Sequence, residues 1–232
     1  MKRLLIGLMI IFMSFVGCDL KSETEKGQDT IDFEKPYLAI SVSFNPAAYH
    51  FNVLYPQFAI WIEYENDDGE LGYHTAFVTR GTGKNQWVWF GGTLVRRPEA
   101  TPVWSGTRKK ETDLDIDAVS GATPIGALFT IYCQVPENIN NKKINVYSEV
   151  NESMDLNVYY GFHPTNGQPS IVWKASLDMD QLANGQETDS EIIGHGNTWG
   201  ANDTIYEDYS HVTTGTKLFH YVKVTYFEGG AQ

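Results

Sequence analysis

Beyond about residue 35, apolar and polar side chains alternate in short runs, the two-residue period of strands with one buried face. Tyr37-Leu38-Ala39-Ile40-Ser41-Val42-Ser43-Phe44 is the first run, and Asn45-Pro46 ends it as a turn pair. After Pro56, Phe58, Ile60, Ile62 and Tyr64 fall on one face of a second strand. Asn66-Asp67-Asp68-Gly69 turns the chain into a return strand over 73–79, a hairpin with a loop longer than two residues. Lys84 to Phe90 makes another short strand, closed by Gly91-Gly92. Residues 93–124 break the rhythm. Arg96-Arg97-Pro98, Pro102, Trp104-Ser105-Gly106, the basic Arg108-Lys109-Lys110 and the acids Asp113, Asp115 and Asp117 share no period, although a helical turn fits near 107–114. As a rule, a long irregular stretch inside a compact domain is functional or mobile. The alternation resumes with a run that reads as a buried strand over 127–135, then 143–150, then 170–176 behind the turn Asn166-Gly167-Gln168-Pro169. A Gly-, Asn- and Asp-rich loop is expected over 178–203, and a last strand over 217–227.

Short strands divided by Gly, Pro and Asn turns, with hardly a helical period, predict an all-β fold, an antiparallel β-sandwich. The label Ig-like applies by analogy only, because the Cys–Trp–Cys pattern is absent. About 200 residues with ample apolar and aromatic content suffice for a single β-sandwich domain over 35–232.

The first residues follow another logic. Met1-Lys2-Arg3 precedes an uncharged apolar run from Leu4 to Val16, and then Gly17-Cys18. That run is shorter than the roughly 20 residues a bilayer-spanning helix needs. A basic start, an apolar stretch and a small residue before a cysteine form the layout of an export signal. Ser14-Phe15-Val16-Gly17-Cys18 resembles the lipobox of bacterial lipoproteins, with Phe15 where leucine is usual. The resemblance implies a signal peptide over 1–17, acylation of Cys18 and a lipid membrane as partner, on the periplasmic or cell-surface side of the envelope. Asp19 resembles the inner-membrane retention signal of enteric bacteria, a rule that differs between phyla, so the membrane stays open. Residues 18–34 are polar and without period, a flexible tether with a reach of roughly 20 Å.

Charge narrows the partners. The chain has 17 basic and 29 acidic residues, a net charge of −12. Loss of residues 1–17 removes Lys2 and Arg3, leaving 15 basic residues against 29 acidic and a net −14. So acidic a domain repels nucleic acid and anionic lipid. No nucleic-acid partner is expected, and the membrane anchor falls to the acyl chains. Apart from the acylated Cys18, Cys133 is the sole thiol of the mature chain, so no intramolecular disulfide forms. Its place in an apolar alternation makes it a small core residue.

Candidate chemistry concentrates at Asp117-Ala118-Val119-Ser120-Gly121-Ala122-Thr123. On the residues alone, this is a tight connection whose Gly and Ser satisfy a turn before a strand. It also offers the hydroxyl of Thr123 beside two small neighbours, Gly121 and Ala122. Pro124 biases Thr123 toward extended backbone, and Asp117 is expected to hold the loop by accepting from backbone N–H groups. The stretch resembles the target motif of covalent flavin attachment, in which a transferase joins FMN through a phosphoester to the final threonine. The match covers its Asp, Ser, Gly, Ala and Thr positions. Pro124-Ile125 depart from the small or hydroxyl residues that follow the motif in respiratory flavin-binding domains, and those domains mix helix with sheet. The resemblance implies Thr123 as the attachment point, with Asp117, Ser120, Gly121 and Ala122 around the cofactor. It also implies a flavin transferase and a membrane redox partner.

A second resemblance spans roughly residues 55–175. Pro56-x-x-Ala59-Ile60-Trp61-Ile62-Glu63, Trp87-x-Trp89, Asp117 through Thr123 with Gly126, and Tyr147-Ser148-Glu149 are similar to the family catalogued as domain of unknown function 2271. Its members are predicted periplasmic proteins, often associated with flavin transferases. Together the two resemblances imply an extracytoplasmic lipoprotein that carries covalent FMN for electron transfer, a carrier more than an enzyme with its own substrate.

Other patterns add less. The histidines His50, His74, His163, His195, His211 and His220 show no HxxxH, HExxH or CxxCH spacing, so no metal site is expected. His195, in a Gly-rich loop, is the best contact candidate, and His220 alternates with core positions. Asp113, Asp115 and Asp117 lack the Gly and closing Glu of a calcium loop. No GxSxG elbow is present, which disfavours a hydrolase. Among the tryptophans, Trp104 and Trp199 lie in irregular segments and are expected to be exposed. They support an alternative of another class, a non-enzymatic lipoprotein that binds carbohydrate or protein through exposed aromatics.

Overall fold

The computed structural model describes residues 31–49, 56–90, 93–124, 126–161, 167–198 and 200–230. Cys18, the export signal and most of the tether lie outside them, as do His50, His163 and Trp199. In chain order the elements are β1 (Tyr37–Phe44), β2 (Gln57–Asn66), β3 (Leu71–Thr79), the one-turn helix α1 (Arg80–Gly83), β4 (Trp87–Phe90), β5 (Thr93–Arg96), α2 (Pro102–Thr107), α3 (Ile116–Val119), β6 (Ser120–Gly121), β7 (Leu128–Gln134), β8 (Ile139–Asn151), β9 (Ile171–Asp178), β10 (Glu187–Asp189), β11 (Glu191–His195) and β12 (Phe219–Phe227).

Two sheets make the sandwich. One has four strands in the order β10-β12-β1-β7, the other six in the order β11-β9-β8-β2-β3-β6, and β4 with β5 forms a small ribbon. Every pairing is antiparallel except β3 with β6. Alternation sets the core. Leu38, Ile40, Val42 and Phe44 of β1 point inward with Ile131, Cys133, Val222 and Val224, against Phe58, Ile60, Ile62, Val146 and Ala175 of the other sheet. Each fully buried Leu, Ile or Phe contributes about 1.5–3 kcal/mol. Cys133 is buried among them, as its alternation predicts.

The structure changes four expectations. The stretch 178–203, expected as a loop, contains β10 and β11, which extend the ends of the two sheets. The run at 127–135 is not a buried strand. β7 ends its sheet, so one face of the run, with Phe129, Ile131, Cys133 and Val135, packs on the core while Leu128 and Tyr132 are exposed. The irregular segment 93–124 folds into β5, α2, α3, β6 and short 3-10 turns. It lies over the outer face of the six-stranded sheet, where Ala59, Trp61, Val78, Tyr147 and Val172 form a second cluster with Val103, Trp104 and Val119. Finally, contacts with the sheets begin ahead of residue 35. The Asp32 N–H donates to Gln134 Oε1 at 3.0 Å, and Phe33 sits edge-on to Tyr37 and Tyr132.

Candidate functional site

Asp115 organises the start of the motif. Its Oδ1 accepts from the N–H groups of Asp117 at 2.9 Å and Ala118 at 3.3 Å, capping α3. The sequence assigns this duty to Asp117, and the structure corrects it. The residue just outside the turn has the extended backbone (φ −90°, ψ 98°) that lays a carboxylate over those N–H groups, and that residue is Asp115. Asp117 turns to solvent and pairs with Lys84 at the end of α1. The Lys84 ammonium, with Arg80 adding a second positive charge, holds the Asp117 carboxyl below the usual carboxylate range.

Past α3, Val119 enters the outer cluster and Ser120-Gly121 pair in parallel with Val78 and Thr79 of β3. Gly121 is small for a packing reason. A Cβ there would stand 2.8 Å from Phe77 Cε2, and Phe77 is fixed by stacking on Phe58 at 5.0 Å and packing on Phe129 at 4.8 Å. Ser120 is buried, and its hydroxyl has no hydrogen-bond partner among the described residues. Ala122 is exposed, while Thr123 and Pro124 are half-buried without regular secondary structure. The connection 122–127 therefore starts at the end strand of one sheet and delivers the chain to the end strand of the other. Of the two hydroxyls in the motif, only that of Thr123 stands on this surface connection.

The outer face of the six-stranded sheet holds a group that sequence reasoning missed. Glu149 lies on β8 level with Ala59 of β2 and Val172 of β9, at a position that alternation sends away from the sandwich core. It is completely buried, because α2 covers that face. Its Oε1 accepts from Val103 N–H at 3.1 Å and Ser170 Oγ at 2.6 Å, and its Oε2 accepts from Trp104 N–H at 2.8 Å. Loss of water raises its pKa to about 7, against the pull of these three bonds toward the charged form. The helix start needs this carboxylate, since its first N–H groups have no partner within the helix.

Trp104, expected to be exposed, is fully buried under Thr75 and Arg108. Its indole N–H donates to Thr75 Oγ1 at 3.1 Å, and the Arg108 guanidinium lies 4.9 Å over its ring. It is therefore no stacking platform. The exposed aromatics are elsewhere, as with Tyr159, which stacks on His211 at 3.6 Å. His195 is half-buried on β11 and stacks on Tyr206, with Nδ1 2.6 Å from the Gly196 carbonyl, and is not a free loop residue. His220 is exposed on β12. Among the described residues no three His, Cys, Asp or Glu side chains are grouped to hold a metal ion.

The site thus consists of the half-buried Thr123 on a surface connection, a glycine fixed by packing, an acid paired to lysine, and an arginine whose charge acts on that acid. Scans against protein-family models, curated proteins and solved structures find no match to this chain.

Proposed function

We propose that this chain is an extracytoplasmic lipoprotein that carries FMN covalently on Thr123 and passes electrons at the cell envelope. The observation that carries the reading is the seven-residue stretch from Asp117 to Thr123, which ends on a surface connection with small residues on the approach to Thr123. With a flavin dinucleotide as donor, Thr123 Oγ would give up its proton and take the FMN phosphorus, while the pyrophosphate bond breaks and the adenylate leaves. Exposed Ala122 leaves room for a transferase to close around that oxygen. Arg80, which opens α1 directly after the β3 residue paired with Gly121, and Lys84, which follows α1, add two cations where a phosphodiester brings negative charge. The isoalloxazine ring supplies the redox chemistry, and the polypeptide sets its exposure and contacts. Acylated Cys18 and the tether keep the flavin within reach of redox partners in the same membrane.

The test is co-expression of the chain with a flavin transferase in an exporting host. A fluorescent band that survives a denaturing gel is expected, with peptide mapping that puts the adduct on Thr123 and not on Ser120. Thr123→Val abolishes the band while circular dichroism stays unchanged. A wild-type protein that is exported yet leaves no band refutes the reading.

A further inference from the structure

Four strands end the two larger sheets, and three of them make short or broken edges. β10 has three residues and β6 two, while β11 carries a register shift between Ile192 and Gly194. β7 is the fourth. It runs for seven residues, pairs with β1 without a shift, and holds neither a charged side chain nor a proline.

The bonds at its two ends show which backbone groups lie on its outer edge. Phe44 N–H donates to the Ala127 carbonyl at 2.8 Å, and Val135 N–H donates to the Pro36 carbonyl at 3.0 Å. Bonded pairs of an antiparallel ladder recur every second residue, so Phe129, Ile131 and Cys133 direct their backbone groups to β1. Those of Leu128, Thr130 and Tyr132 face the other way, where no strand of the described residues meets them.

A shelf and a cavity adjoin this edge. Phe129 of β7 packs on Phe77 of β3, so the six-stranded sheet passes beneath β7 and reaches beyond it with β6. Between Cys133 and that sheet lies a cavity of about 310 Å³, walled by Tyr64, Tyr73, Ala76 and Glu111. Glu111 is anchored there, its Oε1 accepting from the Thr75 N–H at 2.8 Å and its Oε2 from the Thr75 hydroxyl at 2.6 Å.

We infer that β7 takes up an extended segment of another protein as an added antiparallel strand, with one aromatic side chain of that segment in the cavity. A row of alternating donors and acceptors is matched by extended backbone, and a pocket beside the row reads alternate side chains. Directly opposite residues share a face, so the residue opposite Cys133 sends its side chain where Cys133 sends its own, into the cavity. The tyrosines and Ala76 suit a ring there. The volume, at the low end of the roughly 300–1,000 Å³ of ligand pockets, holds one such side chain. With Glu111 and Glu137 in its walls and a net charge of −12 on the chain, the site selects against an acidic segment. The chain's own residues 21–30 are unsuited to the cavity, since they include the acids Glu23, Glu25 and Asp29 and no apolar side chain. A second copy is unsuited as well, because its six-stranded sheet would meet this one beneath the joined edges. None of these groups belongs to the motif at Thr123, so flavin attachment and strand addition succeed or fail separately.

The probe is the acetylated and amidated peptide Thr-Val-Tyr-Val-Thr-Val-Thr, whose tyrosine is set opposite Cys133. It is titrated into the ¹⁵N-labelled full chain and followed by amide NMR shifts and hydrogen exchange. In the free chain the amides of Leu128, Thr130 and Tyr132 exchange faster than those of Ile131 and Cys133. With peptide they shift saturably and become protected. N-methylation of the three valines removes the N–H groups that face β7 and weakens binding by about tenfold or more. Replacing the tyrosine by alanine or aspartate weakens it by about tenfold. Thr130→Pro removes an outward N–H while leaving the ladder to β1 in place, and weakens binding by about tenfold. Where that variant fails to fold, the N-methylated peptide tests the same bonds from the other side. Protection of the three amides in the free chain, absence of saturable shifts, equal binding of the N-methylated or alanine peptide, or undiminished binding by folded Thr130→Pro overturns the proposal.

Discussion

Glu149 gives stability a pH dependence opposite in sign to that of the salt-bridged surface carboxylates. Burial raises its pKa from 4.5 to about 7, so between those values the folded chain keeps a proton that the unfolded chain releases. Stability from this group is complete below about pH 4.5 and is lost as pH rises through about 7. At 1.36 kcal/mol per unit, the loss is about 3 kcal/mol. Asp117, Glu137, Asp203 and Asp208 have lowered values, so their contributions are present above the ordinary carboxylate range and fade at more acid pH, outside this window. The perturbation is Glu149→Gln, which removes the titration while leaving an oxygen for one of the helix N–H groups. Its amide NH₂ then faces donors that the carboxylate accepted, a fixed cost of about 1–3 kcal/mol. Urea unfolding of both proteins, followed by tryptophan fluorescence at intervals from pH 4.5 to 8, measures the stability gap between them. Groups that titrate alike in both proteins cancel. The wild-type advantage should shrink by about 3 kcal/mol across the range. A gap constant to within about 0.5 kcal/mol refutes the reasoning, since a Glu149 with an ordinary pKa contributes no slope there.

Two further outcomes follow from packing. Gly121→Ala drives a methyl into Phe77, which the Phe58 and Phe129 rings prevent from withdrawing, so chemical denaturation should show a loss of about 1–3 kcal/mol. Trp104→Ala empties the centre of the outer cluster, strips Thr75 Oγ1 of a donor and should cost about 3–5 kcal/mol, read as a lowered urea midpoint with an unchanged m-value.

Strands with one face in the core were legible because alternation records that face directly. Leu38, Ile40, Val42 and Phe44 mark β1, and Phe58, Ile60, Ile62 and Tyr64 mark β2, in the places where the structure has them. β10 left no such trace. Glu187, Thr188 and Asp189 bury no side chain, and their strand is held by backbone pairing with β12 and by ion pairs of Glu187 and Asp189 with Lys223. Trp104 and Glu149 were illegible for a shared reason. α2 is too short at six residues to show a helical period, so nothing announced that the outer face of the sheet is covered. Without that cover, Trp104 is an irregular-segment aromatic and Glu149 a solvent-facing acid. In the candidate site, the motif and its position before β7 could be read, but the division of labour between Asp115 and Asp117 could not. It depends on backbone angles, and two aspartates two residues apart do not reveal which one precedes the turn.

The hold of Glu111 on Thr75 has a consequence for self-association. The Thr75 N–H points from β3 away from its partner β2, and farther along the same side β6 pairs with Val78 and Thr79. A carboxylate and a two-residue strand thus occupy donors that an incoming strand of a second molecule would otherwise use. Exposed rows of N–H and C=O groups are templates for strand addition between molecules. The segment that folds over the outer face therefore also blocks this end of β3, at Thr75, Val78 and Thr79, against strand addition.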